Sequence, residues 1–401
     1  MNKTLPVRND RLLNPVLIAG CIIILVSFSV RATFGLFQIP VAADFGWLRE
    51  EFSFAIALQN LFWGIGQPLF GAIAERYGDR KAIVAGAACY IVGLMLSAFA
   101  ITPGQHQILE MLIGFGIAGT GFGVILAVVG RSAPEKHRSM ALGIATAAGS
   151  AGQIVGPPVA QLLLSAMSWQ SVFLFFAGFI ALSLLVLPLM RVAPPEQRGE
   201  KDASMGEVLK QALRDPTFAF IFIGFFSCGY QLAFITAHFP AFITELCSAV
   251  APGSVIQALG ISSTTMLGAV SIALIGLFNI GGTLAAGWLG QRYSRKYLLA
   301  SIYMLRTLVA GAFILNPITP ESVLLFSIAM GSLWLATVPL TSGLIAHIYG
   351  LRYMGTLYGI VFFPINSEAF SGSGLEAPCT TCTPAIHWYG GLASGLVRYR
   401  H

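Results

Sequence analysis

GAIAERYGDRK, from Gly71 to Lys81, is nearly repeated 216 positions later as GWLGQRYSRK, from Gly287 to Lys296. Both stretches leave a long apolar run and end in a small basic cluster. A duplicated membrane protein shows this pattern at equivalent hairpins of its two halves. A second parallel supports the doubling: HRSMALGI, His137 to Ile144, opens one apolar run, and RYMGTLYGI, Arg352 to Ile360, opens another.

Composition agrees. The chain is 56% hydrophobic and 10% charged, against about 25% charge in a soluble domain. Apolar runs of the length that crosses roughly 30 Å of hydrocarbon fall at 16–38, 52–74, 82–101, 107–130, 140–166, 170–190, 217–243, 263–289, 297–315 and 322–348. An eleventh opens near Arg352. The first run is too long for a cleavable leader and leads directly into a hairpin, so it reads as a retained helix. The expected fold is all-α, two helical bundles in a membrane: an N-terminal bundle over 1–190, a polar linker over 191–216 containing Pro194 and Pro195, and a C-terminal bundle over 217–363 that is incomplete, with 10 or 11 of 12 helices present. An irregular tail follows over 364–401.

Basic residues set the orientation. Lys3, Arg8 and Arg11 precede the first run, and Arg76, Arg80, Lys81, Arg131, Lys136, Arg138, Arg292, Arg295, Lys296 and Arg352 fall in alternate loops, whereas the intervening loops hold only Arg49. Positive charge collects on the cytoplasmic side. The expected placement is therefore a multi-pass protein of the inner (cytoplasmic) membrane with its N-terminus inside. The net charge of +6 reports topology; no soluble domain presents a basic patch to nucleic acid.

On these residues the chain resembles the major facilitator superfamily of secondary transporters, over 12–363. GAIAERYGDRK is similar to that superfamily's signature between helices 2 and 3, with Gly71 permitting close helix contact and Asp79, Arg80 and Lys81 forming a conformational latch; Gly287 and Arg292 take the matching places in the second copy. GIATAAGSAGQIVGPP, with Gly143, Gly149, Gly152, Gly156 and Pro157, resembles the small-residue motif of helix 5. RATFGLFQIPVAADFGWLREEFS from Arg31, LQNLFWGIGQP, HFPAFITE and LFNIGGTLAAGWLGQR resemble bacterial monocarboxylate and oxalate/formate transporters. The resemblance implies alternating access of a small organic anion, with a proton or a counter-anion as coupling partner, no cofactor, and a single chain as the working unit.

Ionisable groups inside apolar runs narrow the site, because an arginine at the bilayer centre costs about 2.5–3.5 kcal/mol. Arg31 lies roughly 22 Å along the first run at 1.5 Å per residue, and the resemblance puts helix 1 on the central path, where a guanidinium can grip a carboxylate by two parallel hydrogen bonds. A structural salt bridge or an interface anchor is the competing role. Arg306, in the ninth run, reads rather as a structural partner. Glu110 and His238 are the proton-coupling candidates. Gln59, Asn60, Gln67, Tyr230, Gln231, His238 and Asn279 are possible substrate contacts, each also able to make an interhelical hydrogen bond; Trp334 and Thr337 could shape the cavity. Cys21, Cys89 and Cys228 fall in apolar runs, and the Cys379–Cys382 pair reads as an accident, with no metal implied. No P-loop is present, and no nucleophile, base and ligand set falls at one membrane depth, which argues against an enzyme. Efflux of other solutes, or solute sensing without flux, remain as alternative functions.

After Phe363 the family pattern stops. Shifted by one base, the implied codons from Phe363 to Thr381 can encode a Gly-rich apolar helix ending in GGALYD, so a frameshift competes with a genuine alternative C-terminus. A frameshift would remove most of helix 11 and all of helix 12 and could leave this form inactive. Sequencing the coding DNA from independent isolates checks this: an intact frame throughout removes the frameshift reading.

Overall fold

The computed structural model describes residues 12–190, 204–233, 239–258 and 260–363. The 364–401 tail, with its frameshift reading and its Cys379–Cys382 pair, lies outside the described residues, as does His238. Among the described residues every regular element is a helix. The first array comprises α1 (Pro15–Arg31), α2 (Phe34–Phe45), α3 (Arg49–Tyr77), α4 (Asp79–Ser97), α5 (Pro103–Thr120), α6 (Phe122–Ser132), α7 (Arg138–Ala166) and α8 (Trp169–Ser183). The second follows α9 (Met205–Arg214): α10 (Pro216–Ala233), α11 (Phe239–Leu246), α12 (Val255–Ala258), α13 (Thr264–Arg292), α14 (Arg295–Leu315), α15 (Pro320–Leu333), α16 (Thr337–Ile348) and α17 (Met354–Phe363).

Among the described residues seven segments, with breaks bridged, are long and apolar enough to cross a bilayer by length and composition alone. The 29-residue helices α3 and α7 are less apolar but span about 43 Å at 1.5 Å per residue.

The sequence predicts unbroken crossings, yet among the described residues three are interrupted. The first bends at Ala32 and Thr33, where the Thr33 hydroxyl donates to the Val30 carbonyl at 2.7 Å. The fourth bends at Gly121, between α5 and α6, and the tenth between Leu333 and Thr337. These are the first, fourth and tenth crossings, each opening a three-helix unit, and such broken helices expose backbone groups only where protein covers them or a cavity receives them. The polar stretch ahead of the second array holds a short helix. Ser204 and Glu207 form a capping box that starts α9, a stabilising N-terminus. Beyond α9, Asp215 accepts from the Thr217 amide at 2.8 Å and the Tyr349 hydroxyl at 2.6 Å. Those bonds hold its carboxyl below the usual range and tie α10 to the end of α16.

The two arrays are related by the repeat. A Cβ at Gly71 would lie 2.5 Å from the Gly355 carbonyl carbon and 2.6 Å from the Thr356 nitrogen, so α3 meets α17 backbone to backbone. Shifting both partners by 216 gives Gly287 against residues 139 and 140, and there a Cβ would lie 3.0 Å from the Ser139 oxygen and 3.3 Å from the Met140 Cα. The neighbouring pair repeats it. A Cβ at Gly359 would meet the Gln67 carbonyl carbon at 2.7 Å, and one at Gly143 the Thr283 oxygen at 2.8 Å, the same shift again. A contact and its image with partners exchanged is the mark of a twofold axis between halves. Both crossings lie near the end of the molecule that carries the basic loops.

Alanine at Gly71 therefore wedges the halves apart at that end. Overpacking of about 1–3 kcal/mol predicts a roughly five- to hundredfold faster maleimide reaction of a Ser139→Cys reporter in a background free of native cysteines. Gly281→Ala, where a Cβ meets nothing within 4 Å, leaves that rate unchanged. An unchanged rate in Gly71→Ala contradicts the assignment.

Candidate functional site

Arg31 is the last residue of α1, so the break that follows it, rather than depth along a continuous helix, fixes its position. Its Nη2 donates to the Asn60 Oδ1 at 3.1 Å, and its guanidinium carbon lies 4.2 Å from the Trp63 ring centroid. The cation–π contact and the amide replace part of its hydration. Its Nε is buried without a hydrogen-bond partner. Among the described residues Asp79 pairs with Arg131 and His106 lies against Glu110, so no carboxylate stands within ion-pair distance of Arg31.

Asn60 and its neighbour Gln59 on α3 hold this cation and an acid respectively. The Gln59 Nε2 donates to the Glu110 Oε2 at 2.6 Å, while Asn60 holds Arg31. Glu110 is completely buried, and its Oε1 lies 3.4 Å from the His106 Nε2, one turn earlier on α5. His106 is enclosed by aromatic rings, with Phe52 at 5.3 Å and Phe173 at 6.4 Å. Tyr90 of α4 lies within electrostatic reach of both Arg31 and Glu110, and its hydroxyl donates to the Ser27 carbonyl at 3.2 Å. Sequence reading singled out Glu110 and passed over His106, although its i,i+4 spacing from Glu110 puts both on one helix face.

Other candidates fall elsewhere. Asn279 donates to the Ser150 Oγ at 3.0 Å and accepts from the Leu335 amide at 2.9 Å, so both ends of its amide are committed. That Leu335 amide lies in the break between α15 and α16. Trp334 occupies the same break with its Nε1 buried and unpartnered. Gln67 accepts from the Gly123 amide at 3.0 Å, satisfying an orphan donor at the start of α6. Tyr230 and Gln231 fall on α10, with side chains outside the described residues. Arg306 is fully buried; its Nη1 donates to the Cys228 Sγ at 3.0 Å, and its Nε and Nη2 have no partner. The 216-residue shift puts Arg306 where Tyr90 stands, and each reaches toward the helix that opens its own array.

The expected latch residues divide by geometry. Gly71 and Gly287 are the crossing points. Asp79 pairs with Arg131 of α6, and Arg80 donates to the carbonyls of Leu187 at 3.2 Å and Pro188 at 2.8 Å, all within the first array. Lys81 is exposed, and Arg292 stacks on Trp288 at 4.1 Å. Within the decisive stretch the side chain that crosses between arrays is Glu75, which sequence reading overlooked. It accepts from the Thr356 amide at 3.0 Å and from the Thr356 hydroxyl. A carboxylate there satisfies the orphan N–H groups and the dipole at the start of α17.

Comparison with known proteins agrees with this architecture. The family model described as Major Facilitator Superfamily matches residues 19–367. An uncharacterised MFS-type transporter, YcxA of Bacillus subtilis, is 25% identical over 353 residues, covering 84% of this chain and 80% of the relative. Monocarboxylate transporter 12 of Rattus norvegicus is 22% identical over 369 residues, covering 86% and 75%. Among solved structures, the E. coli fucose:proton symporter superposes with a TM-score of 0.68 at 15% identity, covering 94% of this chain and 92% of that one. The human organic anion transporter MFSD10 gives 0.62 at 16%, covering 97% and 99%; at these identities the likeness speaks for the fold. With a family model spanning most of its length, two arrays related by a twofold and broken helices at equivalent crossings, the chain belongs to the major facilitator superfamily and is a multi-pass membrane transporter.

Proposed function

We propose that this transporter moves a small organic anion, monocarboxylate-like, together with a proton. The observation that carries the reading is Arg31: a guanidinium at a helix break, with a buried free Nε and no carboxylate partner among the described residues. A carboxylate presenting two oxygens satisfies Nε and Nη2 by parallel charge-assisted hydrogen bonds. A monocarboxylate transporter among its relatives supports the class.

Charge balance supplies the coupling. We assign the empty site a positive Arg31 and an ionised Glu110, held respectively by Asn60 and Gln59 of α3. With one anion on Arg31 and one proton on Glu110 the site is again neutral. Either partner alone leaves a net charge in a poorly solvated interior, which is costly. The fully loaded and fully empty states are therefore the ones that reorient, giving one proton per monoanion. His106, beside the acid, serves as the neutral partner that accepts or returns the proton. The basic loops support a cytoplasmic N-terminus, and the working unit in this reading is a single chain.

Removing one partner of a buried hydrogen-bonded charge pair costs about 2–5 kcal/mol. Arg31→Ala is expected to weaken binding of labelled lactate or formate to the purified protein by at least about 30-fold and to abolish uptake into proteoliposomes, with Arg31→Lys intermediate. Glu110→Gln is expected to keep anion exchange while losing accumulation driven by a pH gradient. Unaltered binding in Arg31→Ala would rule out the anion anchor. Tight binding with no flux in the parent chain would favour a solute sensor.

A further inference from the structure

The second copy of the repeat has lost its carboxylates. Glu75 and Asp79 of the first copy correspond to Gln291 and Arg295 of the second, and Arg131, the partner of Asp79, corresponds to His347. Where the first array has an ion pair, the second sets two bases together. They line a pocket of about 420 Å³ at the junction of α13, α14 and α16, joined there by Arg292 and Lys296.

Three features make the pocket more than a basic surface. The Arg295 shaft passes against Gly343, where a Cβ would come 3.2 Å from its Nε, so the missing side chain makes room for it. That Nε is buried without a hydrogen-bond partner. The 21-residue helix α14 starts at Ser294 with no side-chain capping bond and no acid in its first turn, whereas α4 has Asp79 there. Bases thus stand at the positive end of a helix dipole, where an anion is favoured. Glu135 is in electrostatic reach of Arg295 yet outside ion-pair distance, so it does not fill the pocket.

The surroundings indicate depth. Trp288, Tyr293 and Tyr297 are 43%, 62% and 70% exposed, and such aromatic residues sit at headgroup level. We propose that this pocket binds a phosphate oxyanion, presented by the headgroup of an anionic phospholipid, which takes the place that Asp79 occupies in the first array. Basic pockets between membrane helices bind headgroups in this way. The site is separate from Arg31 and stands whether or not the anion-transport reading holds.

Native mass spectrometry of the full chain, released from nanodiscs of phosphatidylglycerol and phosphatidylcholine, tests this without reference to flux. Retained phosphatidylglycerol adducts are expected to exceed phosphatidylcholine adducts. They are expected to fall at least about fivefold in Arg295→Asp/His347→Arg, which copies the Asp79–Arg131 arrangement and keeps the parent's thermal stability in lipid-free detergent. Lys296→Ala/His347→Ala, altering two exposed side chains, gives the same loss if the first variant fails to fold. Inorganic phosphate that strips the lipid and stabilises the parent alone would identify free phosphate as the source of the same chemistry. Equal retention of both lipids, or undiminished phosphatidylglycerol in the folded variants, would overturn the proposal.

Discussion

Two helices can touch backbone to backbone only where side chains are absent, and this molecule joins its halves at two such points. α3 lies on α17 through Gly71 and Gly355, and α13 lies on α7 through Gly287 and Gly143. Because the contacts exchange under one shift along the sequence, neither can open alone without breaking the symmetry that relates them. Close packing also makes the junction two-state: an interface at van der Waals contact gains little from partial separation and loses most of its attraction at once. Glu75 adds a polar clasp at one crossing, and Gln291 offers no carboxylate at the other, so the two joints share geometry but differ in strength.

That asymmetry runs through the molecule. The first array is wired internally by Asp79–Arg131, by Arg80 on the end of the sixth crossing, and by Gln59 on Glu110. In the second array Arg306 in the interior and Arg295 at the edge have no acid within ion-pair distance among the described residues. A buried cation lacking an anion is unstable by itself, and the site around Arg31 has the same character. On the readings proposed above, solute and lipid anions complete these sites, which ties binding to the state of the fold.

The duplication, the helical class and the prominence of Arg31 and Glu110 were legible in residue pattern, because repeats and charges in apolar runs survive in one dimension. The breaks were not. Ala32 and Thr33 carry no glycine or proline signal, and the bend there depends on a hydroxyl turning back on its own helix. Gly121 is hidden in a run rich in glycine, and the tenth crossing breaks where Asn279, 56 residues away, captures the Leu335 amide. Glu75 was in view from the start, but its partner lies 281 positions on, and only the folded chain shows that it, and not Asp79 or Arg80, bridges the arrays. His106 escaped notice because burial, rather than spacing, makes a histidine beside a carboxylate significant.

The central claim is that the halves pivot as symmetric units about the paired crossings. Double electron–electron resonance between spin labels at positions 77 and 352, and separately at positions 293 and 136, measures it directly, because the two pairs are images under the 216-residue shift and all four side chains are exposed. The account predicts that both distance distributions lengthen together, with the same populations, when the bound anion is varied. A change confined to one pair, or two pairs that respond independently, would contradict it.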